Sequence, residues 1–453
     1  MNEKLKEFYD RISGKKVAVI GIGISNKPLI VFLLKHGATV KAYDKKTKEK
    51  LGEIYNELSS LGVEFCLGEG YLDEISEDII FKTPGMRYDV PALCNARKRG
   101  AWVTSEMEVF FDVCPAKIIA VTGSDGKTTT TTLIHKFLEA SGYITRLGGN
   151  IGRPLIGEIE EISADEWIVL ELSSFQLHTM RKSPDIAVIT NITPNHLDWH
   201  TDYNEYIEAK KNIISYQTKD SLAVLNSHNE ETKAIIPNCN GKVRSFSAYC
   251  EADFMLKDGI ICKGDEQLLD SSDIKIPGMH NVENYMTAIA AVYDLVNKSV
   301  FTDVARSFGG VPHRIEFIRT IDGVKYYNSS IDSSPNRSLN TLSVFGNNVV
   351  MIAGGKDKGI AYDDIGPAIV QHVKTLILIG MTSDKIEQAV RNANGGDKVK
   401  IIRASDYPNA VLLAKNEAVS GDVVILSPAS TSFDMFNNFE ERGNLFKEIV
   451  LSL

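Results

Sequence analysis

The chain has 453 residues, of which 43% are apolar and 24% charged. This is the composition of an ordinary soluble protein, long enough for about three domains. A net charge of −9 and a pI near 5.6 give the surface no general attraction to nucleic acid or to an anionic membrane. The six cysteines are scattered and form no CxxC, so neither a zinc site nor a disulfide framework is indicated, and buried or incidental thiols are expected. The opening MNEKLKEFYDRISGKK is too charged for a signal peptide. The best apolar run, PLIVFLL, is far too short to span a bilayer. A cytoplasmic monomer without membrane insertion is expected.

In chain order, KVAVIGIGIS opens the first block. Val17 to Ile20 reads as a buried strand and Gly21-Ile22-Gly23 as the tight turn after it. A helix follows, then ATVKAYD, a second strand ending at Asp44. The pattern is a Rossmann-like βαβ unit, but Asn26 stands where a third glycine belongs. That argues weakly for a dinucleotide and well for an anion near a helix N-terminus. Asp44 reads either as a ribose- or base-facing carboxylate or as a surface residue at a strand end. The second block carries strands at KIIAV, EWIVLE and IAVIT, and the third at VVMIAGG, TLILIG and VVILS, each separated by helical stretches. Gly309, Gly310 and Pro312 favour a hinge between them. The expectation is an α/β protein of three domains: a Rossmann-like domain over 1–104, a central P-loop ATP-binding domain over 105–311 and a Rossmann-like C-terminal domain over 312–453.

The stretch VTGSDGKTTTTT, Val121 to Thr132, follows a strand and precedes a helix. Val121 occupies the place of the first P-loop glycine, so only GSDGKT matches. The mechanics survive: Gly123 and Gly126 let backbone N–H groups approach phosphate, Lys127 meets the terminal phosphates, and the Thr128 hydroxyl suits Mg²⁺. Glu171, directly after a strongly apolar run, reads as a magnesium carboxylate or as a solvated strand end. In NITPNHLDWH, His196, Asp198 and His200 are three metal-capable side chains spaced to converge in one loop. A structural role for them is equally open. Lys210 and Lys211 on the next helix are, on their own, solvated charge.

Several segments lie in order over nearly the whole chain: GSDGKTTTTTL, GGNIG, LELSSFQL, TNITPNHLDWH, the Y-x-x-AK of Tyr206 to Lys210, IPGMHNVENYMTAIAA, VPHRIE and LSPASTSFDMFNNFEERG. Together they resemble the Mur ligase family, ATP-dependent amino-acid ligases of peptidoglycan synthesis. The GIGIS…YD start and the FDMFNNFEERG ending look like its D-glutamate-adding branch. The resemblance implies that ATP phosphorylates the carboxylate of UDP-N-acetylmuramoyl-L-alanine and that the amine of D-glutamate displaces phosphate. Two anions must meet, so cations are needed.

Residue by residue, the resemblance places ATP on Gly123, Ser124, Asp125, Gly126, Lys127, Thr128 and Thr129, with Asn281, Asn284 and Arg314 at the nucleoside side. It implies one Mg²⁺ on Thr128 and Glu171 and a second on His196 and Lys210, with Lys210 carbamylated. Lys127, Glu171, His196 and Lys210 are the implied catalytic set. Ile24, Ser25, Asp44, Lys45, Gly85, Asn150, Gln176 and His196 fall on the uridine-nucleotide substrate. Ser333, Lys358, Ser432, Phe433 and Phe439 fall on D-glutamate. One stretch departs: where many members read N-D-S-K-A-T, this chain has Asn328-Ser329-Ser330-Ile331-Asp332-Ser333. Ile331 replaces an amino-acid-contacting lysine and Ser329 an aspartate near the nucleotide. Asp332 is expected to add a negative charge near the anionic substrate.

Overall fold

A computed structural model describes residues 2–23 and 26–453. The chain forms two compact units, one of Met1–Asp270 with Glu283–Val304 and one of Ser271–Val282 with Ala305–Leu453. Among the described residues, no helix is long and apolar enough to cross a membrane.

The first unit holds two sheets. One has five parallel strands in the order β3-β2-β1-β4-β5, namely β1 Lys16–Ile20, β2 Thr39–Asp44, β3 Glu64–Leu67, β4 Ile79–Lys82 and β5 Trp102–Thr104. The other has nine strands: β6 Lys117–Thr122, β7 Thr145–Gly149, β8 Trp167–Glu171, β9 Ile186–Ile189, β10 Leu222–Asn226, β11 Lys242–Ser247, β12 Phe254–Lys257, β13 Ile260–Lys263 and β14 Glu266–Asp270. Its order is β14-β13-β12-β11-β10-β9-β6-β8-β7. Only β13 pairs antiparallel with its two neighbours. Strands β6, β8 and β9 are buried nearly end to end. Parallel strands covered on both faces have this continuous apolar signature, which is why KIIAV, EWIVLE and IAVIT are legible.

The second unit has a six-stranded sheet in the order β15-β16-β20-β17-β18-β19. Its strands are β15 Glu316–Ile321, β16 Val324–Asn328, β17 Val349–Ala353, β18 Val373–Leu378, β19 Lys400–Arg403 and β20 Val423–Leu426. Alternation along β17 builds two cores. Val349, Met351 and Ala353 face Leu342, Ile365 and Ile386, while Val350 and Ile352 face Tyr407, Val411 and Phe446. Each such buried aliphatic side chain contributes roughly 1.5–3 kcal/mol, so a one-residue slip in β17 would disrupt both layers at once.

Candidate active site

The phosphate loop leaves the C-terminal end of β6 and enters the helix Lys127–Ala140. Its two glycines are dictated by space. Gly123 (φ 149°) would put a Cβ 1.9 Å from Thr190 Oγ1, and Gly126 (φ 77°) one 2.3 Å from Asn284 Oδ1. The neighbouring β9 loop fixes the turn: Ser124 N donates to Asn191 O (2.9 Å) and Asp125 N to Asn191 Oδ1 (3.0 Å). The amides of Ser124 and Asp125 thus hold the loop's shape. Ser124 Oγ lies 2.8 Å from the Tyr206 hydroxyl and donates to Thr193 O. Thr129 is buried in the first helical turn.

Around Gly123 the expected chemical groups gather. Lys127 Nζ donates to Gly123 O (2.9 Å) and Ser124 O (2.8 Å), and Lys210 Nζ donates to the same Gly123 O at 2.7 Å. Lys210 comes from the helix Tyr203–Ser215, is only 2% exposed, and lies 4.7 Å from the Tyr206 ring centroid. Burial, and then the charge of Lys127, hold its ammonium well below the usual lysine range. The Thr128 hydroxyl donates to Glu171 Oε2 (2.7 Å), and Asn150 Nδ2 to Glu171 Oε1 (2.7 Å). His196 has left-handed backbone (φ 54°), and its ring is edge-on to Phe175 at 5.0 Å. Burial, and then Lys127, lower its pKa.

Of the two readings left open for the loop of His196, Asp198 and His200, the structural one holds for His200. Among the described residues, no group of three His, Cys, Asp or Glu side chains is arranged for a metal. His200 turns inward, with Nε2 3.0 Å from Ser174 Oγ and Nδ1 3.4 Å from Glu205. Its aromatic body satisfies the core, and Asp198 remains exposed.

On the five-stranded sheet, Asp44 accepts from Ile22 N (2.6 Å) and Lys46 N (2.8 Å) and is 9% exposed, so it shapes the turn beside β1. Asn26 donates to Ile20 O and Gly21 O, replacing the missing glycine with side-chain bonds. Lys45 and Gly85 are exposed. Ile24 and Ser25 lie outside the described residues. Gln176 completes a capping box with Ser173. A cavity of about 500 Å³ adjoins the phosphate loop, with Asp125, Asn191, His228, Tyr249 and Glu283 in its walls.

Sequence reasoning passed over one cluster. The Arg87 guanidinium donates to both oxygens of Glu205 and to Trp199 O, and Trp199 Nε1 donates to Gly85 O. Arg87 and Glu205 are 118 residues apart in sequence, so no local signal pairs them.

In the second unit, Lys356 N donates to Thr431 O, bringing the GGKDKG loop beside the loop of Ser432. Ser330 Oγ donates to Phe439 O, and the fully buried Arg442 ties Ser330 to Ser430 O. Segments carrying Ser333, Lys358, Ser432 and Phe439 therefore meet. Lys358 and Phe433 are exposed, while Ser432 is buried. Asn281 Nδ2 donates to Pro277 O, and Arg314 lies in the exposed turn after Val311. Asp332 departs from expectation. It is 4% exposed and accepts from Ser427 Oγ (2.8 Å). Burial raises its carboxyl pKa, so it is a core acid among hydroxyls and no free charge facing a ligand.

Three family descriptions match in order: Mur ligase MurD-like, N-terminal domain, over 15–105; Mur ligase middle domain over 121–292; and Mur ligase, glutamate ligase domain, over 313–430. A UDP-N-acetylmuramoylalanine--D-glutamate ligase of Acetivibrio thermocellus is 52% identical, with both chains covered completely. The chain belongs to the Mur ligase family. Proteins of the same name from Clostridium kluyveri and Clostridium perfringens are 51% and 49% identical over 99% of each chain. This Mur ligase also shares its fold with the solved UDP-N-acetylmuramate-alanine ligase of Thermotoga maritima. That likeness has a TM-score of 0.60 at 18% identity and covers 97% of this chain and 99% of the other.

Proposed function

We propose that this Mur ligase joins D-glutamate to UDP-N-acetylmuramoyl-L-alanine at the expense of ATP, through an acyl phosphate, in the cytoplasm and as a monomer. The observation carrying this reading is end-to-end identity of about half with ligases of that name. The three sheets and the three matched regions support domains over 1–104, 105–311 and 312–453.

The γ-phosphate of ATP meets the phosphate loop, with Lys127 countering its charge. Thr128, Glu171, His196 and Lys210 are the groups we assign to two Mg²⁺ ions. A hydroxyl and a carboxylate 2.7 Å apart are the hard oxygen donors that ion prefers. When bound, the ions neutralise phosphate charge. Lys210 joins the set as a carbamate: its neutral amine attacks dissolved CO₂, an N–C bond forms as one C=O π pair moves onto oxygen, and the nitrogen gives a proton to solvent water, leaving a carboxylate-like end. Asn281, Asn284 and Arg314 serve the nucleoside. Ile24, Ser25, Asp44, Lys45, Gly85, Asn150 and Gln176 serve the uridine-nucleotide substrate. Ser333, Lys358, Ser432, Phe433 and Phe439 orient D-glutamate, whose amine attacks the acyl carbon and expels phosphate.

The test is phosphate release from ATP with UDP-N-acetylmuramoyl-L-alanine, with and without D-glutamate. Turnover requiring both is expected. Comparable rates with L-glutamate or L-lysine would overturn the assignment.

A further inference from the structure

We propose that Arg87, Glu205 and Trp199 form a positioning clamp. It sets the helix of Lys210 and the loop of His196 against the segment leaving β4, and so fixes the span that one uridine-nucleotide substrate must cover. The inference rests on the substrate reading above and assigns roles to residues that reading does not use.

The geometry is specific. Segment 85–89 follows β4 of the five-stranded sheet, and residues 196–210 belong to the nine-stranded sheet's side of the same compact unit. Arg87 Nη1 and Nη2 lie 3.0 Å from the two Glu205 oxygens, a bidentate fork, and Nη1 also donates to Trp199 O at 3.0 Å. The other edge of the guanidinium holds Asp89 at 2.9 and 2.7 Å. Trp199 Nε1 returns a bond to Gly85 O at 2.8 Å, and the Arg87 guanidinium lies 5.2 Å from the Trp199 ring centroid. Both charged side chains are about one-fifth exposed. Arg87, first among several donors, holds the Glu205 carboxyl far below the usual carboxylate range.

Glu205 lies five residues, under one and a half helical turns, before Lys210 on one rigid helix. Trp199 lies three residues after His196. The same fork that grips the β4 segment therefore grips both elements that deliver reactive groups. The helix is capped by Asp202, which accepts from Glu205 N (2.8 Å), and the Glu205 carboxylate also accepts from Thr201 N (2.7 Å) and His178 Nε2 (3.2 Å), so the helix end is satisfied without Arg87. The arginine adds registration between two elements and is not needed to finish the helix. A planar fork held on both edges tolerates little lateral shift, and a lysine does not reproduce it. A sub-ångström slip would misplace the substrate carboxylate relative to the phosphate loop, whereas ATP, bound by the loop itself, would be indifferent.

The experiment uses the full-length enzyme and three variants: Arg87→Met, Glu205→Gln and Trp199→Phe. Wild-type turnover with UDP-N-acetylmuramoyl-L-alanine and D-glutamate comes first; its absence would sink the substrate reading and leave the clamp to be judged by uridine-nucleotide binding alone. With turnover present, Arg87→Met and Glu205→Gln should each raise the KM for the uridine nucleotide about ten- to hundredfold. The double variant should be no worse than Arg87→Met alone, and ATP KM should stay within about twofold. Trp199→Phe keeps an aromatic ring but removes the indole N–H that bonds Gly85 O, together with the part of the ring that carries it, and should show the same selectivity at about three- to tenfold. Arg87→Lys should recover only part of the loss. Additive effects of Arg87→Met and Glu205→Gln would overturn the clamp. So would an ATP KM that rises in step with that of the uridine nucleotide, or a Trp199→Phe enzyme identical to wild type. If Arg87→Met does not fold, Trp199→Phe and Glu205→Gln decide the matter.

Discussion

Replacing Gly126 with alanine tests how strictly the phosphate loop is shaped. Gly126 has φ 77°, and an added Cβ would sit 2.3 Å from Asn284 Oδ1. Left-handed backbone costs a residue with a Cβ about 1–2 kcal/mol. Relief of the clash requires Asn284 to move, which breaks its 3.3 Å bond from Thr130 Oγ1, a further loss of about 0.5–1.5 kcal/mol. The sum is about 1.5–3.5 kcal/mol. If the loop escapes by leaving its phosphate-binding shape, that free energy is lost from nucleotide binding, and the Kd for ATP rises about 10- to 400-fold. Titration calorimetry with a non-hydrolysable ATP analogue measures this directly. The contact part is isolated by repeating the change in an Asn284→Ala background. There only the backbone part remains, and the effect of Gly126→Ala should shrink to about five- to thirtyfold. An ATP-analogue Kd within twofold of wild type in Gly126→Ala would refute the steric argument. Equal effects in both backgrounds would refute the role of Asn284.

Three further outcomes follow from the structure. Glu106 is 6% exposed with one oxygen lacking a hydrogen-bond partner, and burial pushes its carboxyl pKa from 4.5 up to about 7. Because the folded value is raised, the native state binds more protons than the unfolded one between those limits, and Glu106 costs stability as pH rises through that window, by about 3 kcal/mol when complete. Glu106→Gln should flatten that part of the stability profile in urea melts; an unchanged slope from pH 5 to 7.5 would refute it. Lys210→Ala should cut turnover more than about a hundredfold, with partial rescue by a short carboxylic acid occupying the vacated space; near-normal turnover would eliminate the carbamate. Lys358→Met should lower kcat/KM for D-glutamate about ten- to hundredfold while leaving ATP KM unchanged, and an unaltered D-glutamate KM would make Lys358 a solvated loop residue.

How legible the molecule was depended on whether the cause was local. The parallel strands could be read because burial on both faces leaves uninterrupted apolar runs, as in VVMIA of β17. The phosphate loop was legible because its backbone conformation demands glycine at fixed spacing. Strands β12 to β14 were not: FMLK, IICK and EQLLD are short and mixed, and their pairing comes from the hairpin geometry around Asp258-Gly259 and Gly264. The inward turn of His200 and the burial of Asp332 were not legible because sequence spacing shows which residues are near one another and not which way a side chain turns. His200 fills a buried site against Ser174, and Asp332 sits among Ser427 and its neighbours. The Arg87–Glu205 fork joins residues too distant in sequence for any motif to connect.

The crowding of two lysines at one carbonyl links the fold to the chemistry. Lys127 and Lys210 both donate to Gly123 O, at 2.9 and 2.7 Å. If both carried a full charge, they would repel across a site that burial has made poorly screened. Lys127 begins a helix at the open end of the loop and is the more accessible of the two. Lys210 is enclosed, and its charge is opposed first by burial and next by Lys127 itself. Burial and the neighbouring Lys127 therefore both disfavour an ammonium at Lys210. In the carbamate proposed above, the Lys210 amine would add CO₂ and give up a proton to solvent, and a repelling pair would become an attracting one. Thr122 and Gly123, which position that amine, lie at the end of β6 and in the loop that follows it. The same short stretch of chain thus shapes the phosphate loop and holds the Lys210 side chain against it.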